Sequence, residues 1–169
     1  MDGMAEVHRI IDLSTRVMEG DAWHAGSIAA LLEDVTLQEA KARPVPGAHS
    51  IWELVLHMTA WAGEVRARVE GAEAGEPAAG DWPAVGRTTA VRWIAAKAAL
   101  LEAYRDLAST LETIPDAFLR RPVADRRDAA AGTGLSRWLT LHGAIHHAVY
   151  HAGQIALLKR ALRAGKGPR

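Results

Sequence analysis

Four histidines fall within ten residues near the end of this chain: His142, His146, His147 and His151. His147 and His151 stand four apart, so on a helix both imidazoles project from one face about one turn apart and can meet a single metal ion. His142 and His146 repeat the same spacing. At about 100° per residue, His146 lies roughly 140° from His151 and His142 is nearly opposite it. The two pairs therefore look to different sides, and only one can face a given site. Spacing of this kind is a weak signal alone, because many helical histidines simply pack or face solvent. A further histidine, His57, lies at the boundary between the apolar stripe and the polar face of an earlier helical segment, close in angle to Trp61. That position can reach an interior site, but a histidine there is more often a satisfied residue at the edge of the core than a ligand.

The rest of the composition narrows the chemistry. The 169 residues contain no cysteine, which removes disulfides, thiolate nucleophiles, zinc–thiolate sites and iron–sulfur clusters. Any metal must rest on His, Asp or Glu. Twenty basic residues balance twenty acidic ones, so the basic excess of a protein that lives on phosphate contacts is missing and no nucleic-acid partner is expected. The opening MDGMAEVHRIIDLSTR carries charges throughout and lacks the apolar core of a signal peptide, and no run reaches transmembrane length. A cytoplasmic protein without membrane contact is expected. With 49% apolar and 24% charged residues, the chain has the balance of one ordinary globular domain spanning residues 1–169.

Four long amphipathic patterns must position these residues. Val7, Ile10, Ile11, Leu13, Val17 and Met18 predict a first helix from Met4 to Met18, stopped by Gly20. Short helical stretches follow at Ser27–Leu32 and Leu37–Ala42, before the turn-forming PVPG at 44–47. Ser50 and Glu53 form the S-x-x-E pattern of a capping box, which starts a second long helix whose stripe runs from Ile51 to Val69. Gly- and Ala-rich GAEAGEPAAG and then Asp81-Trp82-Pro83 predict a surface loop. A third helix is expected from Thr88 to Ile114, ended by Pro115. Phe118 to Gly134 has loop composition, and a fourth helix runs from Ser136 to Arg163, with Lys159, Arg160 and Arg163 at its negative end. With no convincing β-alternation, an all-α four-helix bundle is the economical architecture.

Two segments carry a resemblance. Ser50-Ile51-Trp52-Glu53-Leu54-Val55-Leu56-His57 with Trp61, and His147-Ala148-Val149-Tyr150-His151-Ala152-Gly153-Gln154-Ile155, resemble the signature segments of the DinB-like metalloprotein family. Upstream, Glu19-Gly20-Asp21-Ala22-Trp23-His24-Ala25-Gly26 and Arg43-Pro44-Val45-Pro46-Gly47-Ala48-His49 extend the likeness over nearly the whole chain. The resemblance implies a DinB-like bundle of up-down-down-up type with long connecting loops. It also implies a divalent metal held by His57, His147 and His151, which leaves His142 and His146 outside the site. Three imidazoles with an open position suit zinc or nickel first, and iron or manganese after them, since imidazole does not fix one metal.

Around those ligands, Tyr150 and Gln154 flank the signature histidines and are candidates to orient a substrate, with Tyr150 equally suited to packing. Trp23 and His24 are candidates to line the pocket mouth. Glu53 and Glu64 lie at −4 and +7 from His57, within reach of a supporting hydrogen bond, although a cap already accounts for Glu53. The pairs Arg120-Arg121 and Arg126-Arg127 fit solvated loop charge better than recognition of an anion.

Three protein ligands leave a coordination position for water or substrate, the arrangement of a catalytic site. Such a metal lowers the pKa of a thiol or water brought to it and so supplies a nucleophile without a protein cysteine. Some relatives resemble transferases or isomerases that activate a low-molecular-weight thiol for attack on an electrophile, which makes a metal-dependent thiol transferase the leading expectation. Metal-dependent hydrolysis of a small substrate uses the same parts. A non-catalytic metal-binding or stress-response protein is the alternative class, and would close its site with a fourth protein ligand. The family's name refers to damage-inducible expression and carries no implication of DNA binding. The family also suggests a homodimer, although no heptad seam specifies an interface.

Overall fold

The computed structural model describes residues 5–23, 25–125 and 135–164. Its elements follow in the order α1 (Glu6–Met18), β1 (Asp21–Ala22), β2 (Ala25–Gly26), α2 (Ile28–Glu33), α3 (Leu37–Lys41), α4 (Ile51–Glu70), α5 (Ala90–Glu112), α6 (Asp116–Leu119) and α7 (Arg137–Ala164). The four long helices are those expected from apolar periodicity, with ends shifted by a residue or two. The structure adds a two-residue antiparallel hairpin, Asp21 opposite Gly26, which is too short to leave an alternation pattern. It also adds the single turn α6, where the composition reads as loop.

Helix ends show why the chain breaks where it does. At the start of α4, Ser50 Oγ accepts the Glu53 N–H at 3.3 Å and the Glu53 carboxylate accepts the Ser50 N–H at 2.8 Å, the predicted reciprocal cap. The helix ends on Gly71 at φ 110°, a left-handed position that favours glycine. No side chain of its own caps α1. Asp116, at the start of α6, instead accepts the N–H groups of Glu6 and Val7 at 2.8 and 3.0 Å, satisfying donors that the helix cannot pair internally.

Hydrogen bonds between helices give the direction of each. Arg66 reaches Asp106 and Thr110 reaches Glu70, so the contacts advance together and α4 runs parallel to α5. Arg137 Nε, at the start of α7, donates to the Val69 carbonyl at the end of α4, while His57 meets His147, so α4 and α7 are antiparallel. Arg105 pairs with Glu19 at one end of α1 and Asp116 caps the other, which sets α1 against α5. The bundle is therefore up-down-down-up, with α1 and α4 each packed between α5 and α7.

The core lies between these four helices. Ile51, Val55 and Met58 of α4, Leu100 of α5, and Ala148 and Ile155 of α7 are wholly buried there. The short helices α2 and α3 brace the far end of α7. Lys159 bonds to the Leu31 carbonyl and Asp34, and Arg163 to Asp34 and Glu39. These basic residues thus have specific carboxylate partners in addition to the helix dipole expected from their position. No helix among the described residues is long and apolar enough to cross a membrane.

Candidate metal centre

Antiparallel packing of α4 on α7 brings His57, His147 and His151 together. Each offers one ring nitrogen, and the three atoms lie within 4.8 Å of one another. His57 Nε2 is 2.9 Å from His147 Nε2, which is in turn 2.9 Å from His151 Nε2. His57 and His151 are buried and His147 is half-buried. His142 and His146 stay outside the cluster. His142 lies on the Trp138 ring, 3.9 Å from a Glu6 oxygen, as the opposed helical angle implies.

The outward-facing nitrogens fix the tautomers. His57 Nδ1 is 2.6 Å from the Asp81 carbonyl oxygen, which can only accept, so Nδ1 carries the proton and Nε2 turns its lone pair inward. His151 Nδ1 likewise donates to Gln154 Oε1 at 2.7 Å. Acceptors behind metal-ligating histidines fix the tautomer in this way and raise ligand basicity. A proton on His147 Nε2 can be directed at only one of the two lone pairs that face it, whereas a cation among the three nitrogens satisfies them all. The donor set therefore fits a divalent metal. Burial pushes the His147 imidazole down to about 4, with the neighbouring histidines adding to the effect, and burial also lowers His151. Both are neutral at pH 7, the form a metal requires.

The loop between α4 and α5 builds the outer wall of the site. Its residues Asp81 and Trp82, expected only as surface loop, wrap over His57. The Trp82 ring stacks on His57 at 3.9 Å and on His49 at 3.5 Å, forming a three-ring column. Asp81 Oδ1 accepts Trp61 Nε1–H at 2.7 Å, which pins the loop to α4 one turn beyond His57. Further out, Glu64 holds Arg68 at 2.8 Å and the Gly75 N–H at 2.9 Å. Glu64 thus anchors the loop, and Glu53 remains a helix cap that also pairs with Arg43. The only sequence signal for the wall is an Asp-Trp pair following a Gly- and Ala-rich run.

Two cavities border the cluster. One, of about 460 Å³, opens beside His57 and His147. The other, of about 480 Å³, lies beside His151 and is lined by His49, Trp82, Tyr150 and Gln154. Tyr150 is largely exposed, with its ring 5.1 Å from that of His151, and so stands at the edge of the second cavity. Gln154 is turned toward His151 as its hydrogen-bond partner. Trp23 differs from expectation: it sits wholly exposed at the turn of the β1–β2 hairpin and lines neither cavity, because the two-residue strands project it into solvent. His24, and the pair Arg126-Arg127, lie outside the described residues. Arg121 rests on the Phe118 ring, 4.9 Å from its centre, which gives it a structural partner.

An up-down-down-up helical bundle carrying three converging histidines beside open cavities defines a class of candidate metalloproteins. The chain matches the family model of the DinB superfamily over residues 22–155 and belongs to that superfamily. No curated protein and no solved structure matches it significantly.

Proposed function

We propose that the chain binds one divalent metal ion, zinc or nickel, through Nε2 of His57, His147 and His151, and acts as a metal-dependent transferase for a low-molecular-weight thiol. The observation that carries the reading is the convergence of three imidazole nitrogens with acceptors fixed behind two of them. Among the described residues no carboxylate joins the cluster as a fourth ligand. Asp81, the acid nearest His57, lies on its Nδ1 side, at 3.3 Å. The set is thus three protein ligands facing open space, the composition of catalytic rather than sealed sites. A divalent metal held there would supply Lewis acidity that lowers the pKa of a thiol or water brought to it.

The chain's own residues contribute positioning and exclusion of water. Asp81 and Gln154 hold two imidazoles in the tautomer that coordinates. Trp82 and Trp61 shield His57 from solvent, and the cavities on either side of the cluster give separate space to two reactants. With no cysteine in the chain, the sulfur nucleophile must be a small molecule. A homodimer belongs to the same reading, and sedimentation equilibrium tests it.

The test is elemental analysis of protein purified without a metal-affinity tag, compared with His57→Ala and His147→Ala, followed by turnover with candidate thiols and a chromogenic electrophile. About one metal per chain, lost in both variants together with thiol-dependent turnover, is the expected result. Metal retained by both variants would remove the assigned site. Stoichiometric metal without turnover would leave a non-catalytic metal protein.

A further inference from the structure

The cavity beside His57 and His147 has a composition that identifies what it takes. Its walls are mainly apolar, made by Trp61 and Val65 of α4, Tyr104 of α5, and Leu139 of α7 with Leu135 just before it. Its volume of about 460 Å³ falls in the range of small-molecule sites. Leu135 and Leu139, 40% and 48% exposed, are large apolar side chains left uncovered where they face this space. Arg68 also lines it, but its charge is already met by Glu64 at 2.8 Å, and its guanidinium lies over the Trp61 ring. Asp81 lines it as well, with its carboxylate accepting the Trp61 Nε1–H at 2.7 Å, so neither charged side chain in the wall is left without a polar partner and no free cation awaits an anionic occupant.

A glycine in its wall adds an independent observation. Gly143 stands inside α7, one turn before His147, and lines the cavity. A glycine in a helix interior costs stability relative to alanine, so packing usually accounts for one. Here a Cβ would meet nothing within 4 Å, and no close neighbour accounts for it. A longer side chain at this position would project into the cavity on the approach to His147.

We infer that this cavity binds the body of a neutral, apolar small molecule whose donor or electrophilic head reaches the three-histidine centre, and that Gly143 keeps the passage open. This rests on the metal-binding reading above and extends it by naming the substrate class: apolar-bodied and uncharged, entering from the His57–His147 side. The cavity beside His151 is left for the other reactant.

The experiment uses the zinc-loaded full chain and a series of linear alkyl hydroxamates from two to eight carbons, titrated by calorimetry. The hydroxamate head chelates zinc whatever its tail, so the dependence on length reports the cavity alone. Affinity is expected to rise about fourfold per methylene over the first several carbons, the increment for burying a CH2 group. Gly143→Leu is expected to keep its zinc and its fold while losing the length dependence, to less than twofold across the series. Gly143→Ala, which fills little of the space, is expected to keep most of it. Length-independent binding by the wild type, or an undiminished dependence in Gly143→Leu, would overturn the inference while leaving the metal site standing. A chain that takes up no zinc would overturn both.

Discussion

The hydrogen bond behind His151 gives a quantitative test of how the centre is held. Gln154 Oε1 accepts from His151 Nδ1 at 2.7 Å, and His151 is only 4% exposed. Replacing Gln154 by Leu keeps an apolar stem of similar length and deletes the acceptor. A buried donor left without a partner costs about 1–3 kcal/mol, which corresponds to roughly a 5- to 150-fold loss in metal affinity. The usual effect of removing such a partner behind a ligating histidine, about 10–100-fold, lies inside that span. His57 supplies the internal comparison, because its Nδ1 partner is the main-chain carbonyl of Asp81, which no side-chain substitution removes. Asp81→Ala leaves that 2.6 Å bond and deletes the tie to Trp61 and the longer 3.3 Å approach of the carboxylate to His57 Nδ1, so its effect should be the smaller. The assay is competition against a chromophoric zinc chelator at pH 7, with circular dichroism melts to confirm folding. Unchanged affinity in Gln154→Leu, or a larger loss in Asp81→Ala, would refute the assignment of these acceptors.

Three further outcomes follow from the structure. Trp82→Ala removes the ring stacked at 3.9 Å on His57 without removing a ligand, so bound zinc should remain stoichiometric but leave several-fold faster on challenge with excess chelator; an unchanged release rate would deny Trp82 a shielding role. Ser50→Ala deletes half of the reciprocal cap on α4 and should cost about 1 kcal/mol in urea unfolding, with no loss of stability counting against the cap. Glu39 is buried and its carboxyl is held down to about 2, chiefly by Arg163. A depressed carboxyl stabilises the fold fully above its unfolded value near 4.5, and that contribution is lost as pH falls from there toward 2. Glu39→Gln should therefore flatten the acid limb of the stability–pH curve over this interval, and a limb identical to wild type would show that the Arg163 pairing contributes nothing.

Local features of this protein are legible because their causes are local. Helical periodicity places His147 and His151 on one face, and turns His142 and His146 away, whatever the rest of the chain does. The capping box at Ser50 fixes the start of α4, and Gly71 and Pro115 mark where helices must stop. The absence of cysteine determines the kind of ligand any metal can have. His57 is different. Its helical angle is compatible with a ligand and with an edge-of-core histidine, and only resemblance singled it out. The choice is physical once α4 packs antiparallel on α7 and brings its Nε2 to His147 across ninety positions of sequence.

Other parts of the site exist only in three dimensions. The acceptor behind His57 is a main-chain carbonyl, a group every residue carries, so no residue type announces it. Trp82 belongs to a loop whose composition says only that it is not helical, and its place in the column with His49 and His57 depends on how that loop returns over α4. Trp23, expected near the pocket, is carried into solvent by a hairpin too short to leave a periodic signal. Gly143 reads in sequence as a helix weakness, and becomes a cavity wall only when α4 and α5 stand opposite it. Periodicity and caps are properties of neighbouring residues, so the sequence determines them alone. A cavity and a ring stack are properties of surfaces brought together from distant segments, and tertiary packing decides them.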